Sequence, residues 1–313
     1  MTLATRDTGR AGEPGVSSPS RAKLLQSLIT GALVLGPFVA VACGVPLLWG
    51  NALHRRDVIL GVVLYAVTGH GVTVGFHRMF THRSFKPTRP LKIALGVAGS
   101  MALEGSIVSW VANHRRHHMF SDKEGDPHSP HRYGAGALAQ LRGFAHAHVG
   151  WLLASDSTCA DRFAPDLLRD RDVTVLSRLF PLFAVMSLVI PFAAGWALSG
   201  TVTGGLSALL WAGLVRMALL HHVTWSVNSI CHLFGRRPFA AKDQSTNFAL
   251  LAILSMGESW HNSHHAHPSS ARHGTGRGQL DSSAMLIRLF ERSGWATKVR
   301  WPTIEPLPAP MVS

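Results

Sequence analysis

The sequence of 313 residues is poor in charged side chains, which make up 15% of it, whereas about 25% is usual in a soluble domain. Acidic residues are the scarcest charged class, because 17 Asp and Glu stand against 30 Lys and Arg, for a formal net charge of +13. Apolar residues make up 47%, which excludes a chain that is disordered throughout. So few basic residues also argue against a nucleic-acid partner. A membrane protein with basic cytoplasmic segments fits this composition.

Cysteine is also scarce. The three residues Cys43, Cys159 and Cys231 form no Cys-x-x-Cys pair, which argues against a disulfide framework and against a thiolate metal site. The absence of a cysteine set or a haem motif also indicates that the chain carries no electron-transfer centre of that kind.

Long stretches without Lys, Arg, Asp or Glu are present, at residues 24–53, 58–76 and 179–215. About 20 apolar residues cross a bilayer. The third stretch would make a helix ~55 Å long, so a break near Gly200 and Gly204 predicts a hairpin of two spans. We therefore predict an all-α integral membrane protein with four transmembrane helices, at about 27–49, 58–76, 179–199 and 205–227.

The first stretch has a second interpretation, a cleaved signal peptide, because Ala40-Val41-Ala42 resembles a cleavage site. Apolar sequence continues to Trp49, and the apolar part of a signal peptide is shorter, so a span is favoured. Residues 1–23 are expected to be a disordered tail, residues 24–300 the membrane domain, and residues 301–313 a Pro-rich tail.

Basic residues concentrate in the N-terminal tail, in residues 78–178 and from Arg216 onward. The positive-inside rule places both termini and these two polar segments in the cytoplasm. The apolar residues 93–103 are too few to span, and we expect a surface-lying or partly embedded helix there.

Histidine is abundant, with 19 residues. Positions i, i+3 and i+4 share one face of a helix, so a His-x-x-His-His motif gathers three imidazoles. Positions i and i+5 lie about 140° apart on an ideal α-helix and meet only if the helix unwinds or ends. The clusters are His77 and His82, then His114, His117 and His118, and finally His261, His264 and His265.

A fourth element, Asn228 and His232, lies at spacing i, i+4 at the end of the last predicted span. Nine imidazoles packed together without metal would leave many ring nitrogens unpaired, at about 1–3 kcal/mol for each buried group. Nine exceed one coordination sphere, so the pattern predicts two metal ions. Ligand type alone allows Fe, Zn, Cu or Ni. The remaining histidines are expected to be ordinary core, supporting or surface residues: His70, His221, His222, His128, His131, His146, His148, His267 and His273.

Taken in order, these motifs resemble the integral-membrane fatty-acid desaturases, in the delta-nine, stearoyl-CoA desaturase-like branch. The matching stretches are Gly75-Phe-His77-Arg-Met-Phe-Thr-His82, Asn113-His114-Arg-Arg-His117-His118 with Asp126-Pro-His128, His148-Val-Gly-Trp-Leu-Leu153, Thr224-Trp-Ser-Val-Asn228-Ser-Ile-Cys-His232, and Gly257-Glu-Ser-Trp-His261-Asn-Ser-His264-His265. They cover roughly residues 60–300, and Ser270-Ala-Arg-His-Gly274 is similar to bacterial members.

The resemblance implies four transmembrane helices under a cytosolic helical cap that holds two non-haem irons, in the bacterial cytoplasmic membrane. It implies that His77, His82, His114, His118 and His265 hold one metal. His117, His232, His261 and His264 would hold the other, with Asn228 contacting it through a water.

The implied reaction is an O2-dependent desaturation that gives a cis double bond in a saturated acyl chain, at the delta-nine position. By resemblance, Trp110, Thr224 and Trp225 line the bend of an acyl tunnel. Glu104 stands where many members have Gln, which bears on the bend and on the bond position.

The acyl carrier is left open between CoA, acyl carrier protein and phospholipid, because Leu153 is followed by Ala-Ser-Asp and not by the basic pair of animal members. Electrons would come from a separate ferredoxin-like or cytochrome b-type donor on the basic face. The alternatives are hydroxylation or a second desaturation on the same scaffold, a metal transporter, and a non-catalytic membrane scaffold. Histidines at the ends of spans, not at their middles, argue against transport.

Overall fold

The structure is a computed structural model that describes residues 21–47, 53–154 and 158–303. The predicted tails lie mostly outside the described residues. The chain is mostly helical, with one short antiparallel ribbon. The helices are α1 (Arg21–Leu47), α2 (Arg55–His70), α3 (Arg89–Ser100), α4 (Ile107–Phe120), α5 (Ala137–His148), α6 (Ala160–Phe163), α7 (Pro165–Arg169), α8 (Arg171–Arg178), α9 (Phe180–Ser199), α10 (Val202–Ala208), α11 (Arg216–Ser229), α12 (His261–Ala266) and α13 (Ser282–Arg292), and the strands are β1 (Lys86–Pro87) and β2 (Ala296–Thr297).

Three helical rods are long and apolar enough to cross a membrane: Arg55–Thr81, Phe180–Ser199 and Val202–His232. The first joins α2 to a π-helical segment, Gly71–Thr81, and the third joins α10, a second π-helical segment and α11. In α1 the apolar part, Thr30–Gly44, is shorter than a span. A membrane protein with three of the expected spans is thus supported, and the span at 27–49 stays a prediction.

The predicted hairpin of spans is present. Helix α9 ends at Gly200, whose φ of 70° lies in the left-handed region that glycine adopts without strain. Helix α10 then begins with the Thr201 hydroxyl accepting the Gly204 N–H at 3.1 Å. The two helices pack closely, since a Cβ on Gly195 would lie 2.3 Å from the Ala208 Cβ.

Helix α3 overlaps the expected helix at residues 93–103 but ends at Ser100, and it packs against the π-helical segment Gly71–Thr81. A Cβ at Gly71 would lie 2.2 Å from the Gly99 nitrogen, and a Cβ at Gly99 would lie 2.5 Å from the Phe76 ring. Only glycine allows this approach. The contact fixes the helical segment that carries His77.

A buried apolar cluster joins the C-terminal end of the Arg55–Thr81 rod to the helices that follow it. Phe76 and Phe80 from the π-helical segment meet Ile107 of α4, Leu176 of α8 and Ile287 of α13. The β1–β2 ribbon closes one side of this cluster, with Lys86 opposite Thr297. The packing holds α4 beside the end of the span, and this brings the first two histidine clusters together.

Candidate metal centre

The first histidine cluster depends on the π-helical segment. In a π-helix each N–H bonds to the carbonyl five residues earlier, and the His82 N–H donates to the His77 carbonyl at 3.1 Å. The pair therefore stands on one face, with ring centroids 4.8 Å apart. The condition for convergence, that the α-helix unwinds, is met by the wider turn of the π-helix.

Helices α4 and α12 supply the two His-x-x-His-His clusters. Both are short and end at the cluster, so the three imidazoles of each project toward the end of the span. His232 follows α11 in a 3-10 turn, Ile230–His232, and its side chain is buried. The four elements meet as the spacing predicts.

The nine imidazoles form two groups, in each of which one ligand nitrogen per residue lies within 4.8 Å of all the others. The division corrects the split that the resemblance implied, because His264 and His265 exchange places. The His264 Nε2 lies 3.0 Å from the His77 Nε2, and the His265 Nε2 lies 3.0 Å from the His261 Nε2. The first group is His77, His82, His114, His118 and His264, and the second group is His117, His232, His261 and His265.

The contacts inside each group fit a cation. His77 and His232 each direct Nδ1 at a carboxylate, at 2.5 and 2.8 Å, so their Nε2 atoms carry lone pairs. Those lone pairs point at other Nε2 atoms, 3.0 Å away on His264 and 3.1 Å away on His261. The buried Nε2 atoms of His82 and His117 have no hydrogen-bond partner in the described chain. Nitrogen lone pairs that converge in this way match the arrangement around a bound metal ion.

Burial also keeps most of these rings in the state that binds metal. The pKa values of His82, His114 and His118 are lowered well below the usual range, first by burial and then by neighbouring imidazoles. The same causes lower the pKa values of His261, His264 and His265. Neutral imidazole is the ligand form. His117 differs: burial lowers its pKa, but the charge and hydrogen bond of Asp126, together with the charges of Asp122 and Asp243, raise it overall.

Four buried carboxylates that sequence reasoning did not assign hold Nδ1 atoms of the ligands. Glu258 lies 2.5 Å from His77 and Asp126 lies 3.0 Å from His117. Asp122 lies 2.8 Å from His232, and Asp243 lies 2.6 Å from His265. Such contacts fix the tautomer and orientation of a ligating ring. One sequence feature could have pointed to these carboxylates: acidic residues are scarce in this chain, so an acidic residue near a histidine cluster is a candidate partner for a histidine ring.

The remaining histidines mostly take the supporting roles expected for them. The His70 Nδ1 lies 2.8 Å from the Ala66 carbonyl, and the His221 Nε2 lies 2.7 Å from the Ala102 carbonyl. His128 stacks on His117 at 4.2 Å, and His273 stacks on His264 at 4.4 Å and approaches Glu258. His273 and His128 are buried beside the metal groups.

A mainly apolar cavity leads from the first group into the membrane domain. Its inner lining includes Trp110, Thr224, Leu220, Gly69 and Met256. Asn228 lines it beside His261; the water that would link Asn228 to a metal stays a prediction.

Three side chains at the cavity form a polar unit. The Trp110 indole stacks on His114, with centroids 5.0 Å apart. Its N–H donates to Glu104 at 3.0 Å, and the Thr224 hydroxyl lies 2.8 Å from the other Glu104 oxygen. Burial raises the pKa of Glu104 to about 7, against the lowering effect of these two hydrogen bonds. Trp225 packs elsewhere, against His221 and His222, and its role at the acyl chain stays a prediction.

Residues 57–276 match the family model "Fatty acid desaturase". The chain is 38% identical over 275 residues to a hex-5-enoyl-[acyl-carrier protein] acetylenase of Moorena producens (strain JHB), covering 87% of this chain and 86% of the relative. It is 36% identical to an sn-1 stearoyl-lipid 9-desaturase of Anabaena variabilis, over 77% of this chain and 83% of that one. It is 37% identical to the delta-9 acyl-lipid desaturase 1 of Arabidopsis thaliana, over 78% and 75%.

Proposed function

The chain belongs to the fatty acid desaturase family and is a membrane-bound fatty acyl desaturase, and from this premise we propose that it introduces a cis double bond at the delta-nine position of a saturated acyl chain. The observation that carries the proposal is the end of the apolar cavity at His77, His114 and His261. An acyl chain in this cavity would present one carbon–carbon bond to both histidine groups.

We propose that the two groups hold two irons, the first group with five imidazoles and the second with four. A saturated methylene has no acidic hydrogen, so general-base catalysis has nothing to act on. Bound iron would supply the O2-dependent oxidation that takes two hydrogens from the chain. Asn228 would reach the second ion through a water.

The protein's own contribution is position. Trp110 is held from behind by Glu104 and in front by its stack on His114. Thr224 is held by the same carboxyl. This unit would set where the acyl chain bends, and therefore which bond lies at the metals. Trp225 would support the bend from α11.

For the membrane arrangement we propose four spans within residues 24–300, with α1 as the first. Both termini and the metal groups would lie on the cytoplasmic side of a bacterial membrane, with residues 1–23 and 301–313 as tails. A separate ferredoxin-like or cytochrome b-type protein would supply electrons, attracted by the basic cytoplasmic surface.

A second candidate reaction is the conversion of a double bond to a triple bond. It is favoured by one observation, the 38% identity to an acetylenase over 86% of that relative. Hydroxylation on the same scaffold is the remaining alternative. The same cavity serves all three reactions, so only the product distinguishes them.

The test is gas chromatography–mass spectrometry of fatty acids from a bacterial host without an aerobic desaturase, expressing the chain with a ferredoxin. Double bonds are located by derivatisation, and acyl carrier protein-bound, CoA-bound and lipid-bound substrates are supplied separately to membranes. A delta-nine monoene that is absent with His261→Ala and retained with His54→Ala supports the proposal. An alkyne or a hydroxy acid as the sole product contradicts it in favour of the corresponding alternative.

A further inference from the structure

The two histidine groups differ in the negative charge behind their rings. Three of the four rings in the second group have a carboxylate on Nδ1: Asp126 behind His117, Asp122 behind His232, and Asp243 behind His265. In the first group only one ring of five has such a partner, His77 with Glu258. His82, His114, His118 and His264 contact no carboxylate in the described part of the chain.

The difference in negative charge between the two groups is larger when neighbouring Lys and Arg side chains are included. Glu258 also accepts from the Arg78 guanidinium at 3.0 Å, and Arg78 is fully buried between Glu258 and Asp281. Two carboxylates and one guanidinium leave a formal charge of −1 behind the first group. Asp122, Asp126 and Asp243 form no ion pair with Lys or Arg among residues 21–47, 53–154 and 158–303. The formal charge behind the second group is therefore −3.

The three aspartates are held as acceptors and lie close to the ligands. Asp126 also accepts the backbone N–H groups of Asp122 and His128, at 2.9 and 3.0 Å. Asp122 accepts the Gln244 N–H at 2.7 Å, and Asp243 accepts the Ser245 N–H at 3.0 Å. These contacts fix each carboxylate in place beside the Nδ1 atom of its histidine.

A carboxylate behind an imidazole makes the ring a stronger donor, and removing such a partner typically costs about 10–100-fold in metal affinity. Its charge also attracts the cation through a medium of low dielectric constant. The fifth imidazole of the first group adds one neutral ligand but no charge. A formal charge of −3 against −1 outweighs that one neutral ligand.

We infer that the two metal positions are unequal, and that the second group, backed by Asp122, Asp126 and Asp243, holds its ion more tightly than the first group. The inference rests on the proposed dimetal site. It makes the three aspartates positioning residues for one ion and Glu258 the positioning residue for the other.

The test follows the loss of ferrous iron from the anaerobic, iron-loaded full-length protein in detergent, with excess ferrozine and absorbance as the readout. Wild-type protein should lose one ion in a fast phase and the second in a phase about 10-fold slower or more. The matched variants are Asp243→Asn and Glu258→Gln, because each keeps a carbonyl acceptor for the ring N–H and removes one charge. Asp243→Asn should accelerate only the slow phase, and Glu258→Gln only the fast phase.

Two controls keep the result interpretable. Asp172→Asn removes a carboxylate that pairs with Arg89 and Lys92 away from both groups, and should leave both phases unchanged. If thermal unfolding shows that Asp243→Asn is not folded, Asp122→Asn replaces it as the variant that tests the second group.

The experiment distinguishes a wrong order of metal affinity between the two groups from the absence of a dimetal site. Two ions that leave together in wild-type protein, or a slow phase that responds to Glu258→Gln and not to Asp243→Asn, would overturn the ranking alone. A folded wild-type protein that takes up fewer than two ions would overturn the dimetal site and the ranking together.

Discussion

The indole N–H of Trp110 donates to the Glu104 carboxyl at 3.0 Å, and the Thr224 hydroxyl lies 2.8 Å from the other oxygen of the same carboxyl. One side chain from the turn before α4 thus ties a residue of α4 to a residue of α11 at the cavity. An amide at this position would make both contacts without carrying a charge.

Glu104 predicts a pH dependence of stability. Burial raises its pKa from 4.5 to about 7, so between these values the folded chain keeps a proton that the unfolded chain releases. Stability from this group is therefore greatest below about pH 4.5, falls as pH rises to about 7, and then stays level. Glu104→Gln should match wild-type stability near pH 5 and exceed it near pH 8, measured as the midpoint of thermal unfolding in detergent. An equal difference at both pH values would contradict the assignment.

Replacement of Arg78 should lower the stability of the protein strongly. Arg78 is fully buried between Glu258 and Asp281, with contacts of 3.0 and 2.9 Å. Arg78→Met leaves two buried carboxylates without their cation, which should lower the free energy of unfolding by about 3–5 kcal/mol. Adding Asp281→Asn should restore part of the loss, because one uncompensated charge is removed. Denaturant unfolding of the two variants checks this, and a double variant weaker than Arg78→Met would refute it.

The close packing of α3 predicts that Gly71→Ala disrupts the cap. The added methyl would lie 2.2 Å from the Gly99 nitrogen, which is backbone and cannot turn aside. Gly61→Ala is the matched control in α2, since its methyl would be 3.7 Å from the nearest atom. Gly61→Ala should keep wild-type stability or gain up to about 1 kcal/mol, whereas Gly71→Ala should lose bound metal and stability. Metal content and unfolding temperature are the readouts, and equal behaviour of the two variants would count against the packing argument.

If the proposed function is correct, replacing Met256 should change the acyl-chain length that the enzyme prefers. The Met256 thioether covers Gly69 in the lining of the cavity, since a Cβ on Gly69 would lie 2.4 Å from the Met256 Cε. Met256→Ala should lengthen the cavity and favour longer substrates in a competition of acyl chains of different lengths. Gly69→Ala should shift the preference to shorter chains. As a control, Met285→Ala removes an exposed methionine and should leave the product ratios unchanged. If Met256→Ala also left the product ratios unchanged, Met256 would not limit the length of the acyl chain.

Spacing along the chain was enough to predict that the histidine clusters converge, but not how they divide into two groups. The clusters at His77, His114 and His261 were visible because the distances i+3, i+4 and i+5 have a geometric meaning on a helix. The places of His264 and His265 depend on how the single-turn helix α12 is rotated against α4. That rotation is set by tertiary contacts, which a periodic pattern does not contain.

Charge-free stretches likewise predicted the hairpin of α9 and α10 but not the π-helical turn at His77. Asp122 and Asp243 lie in irregular loops, where no period relates them to His232 and His265. Their roles follow from long-range folding, across 110 residues in the case of Asp122 and His232. The histidines that meet were therefore predictable from the sequence, whereas the carboxylates that contact their rings were not.

The nine imidazoles come from four stretches of chain, and within the first group His77 and His264 are 187 residues apart in sequence. An ion held by such distant ligands acts as a cross-link across most of the protein. The unfolded chain does not bring these ligands together, so ions at the proposed site would bind the folded chain and stabilise it over the unfolded one. In a chain without disulfides among its described cysteines, metal loading would then follow the insertion of the spans and the docking of α12.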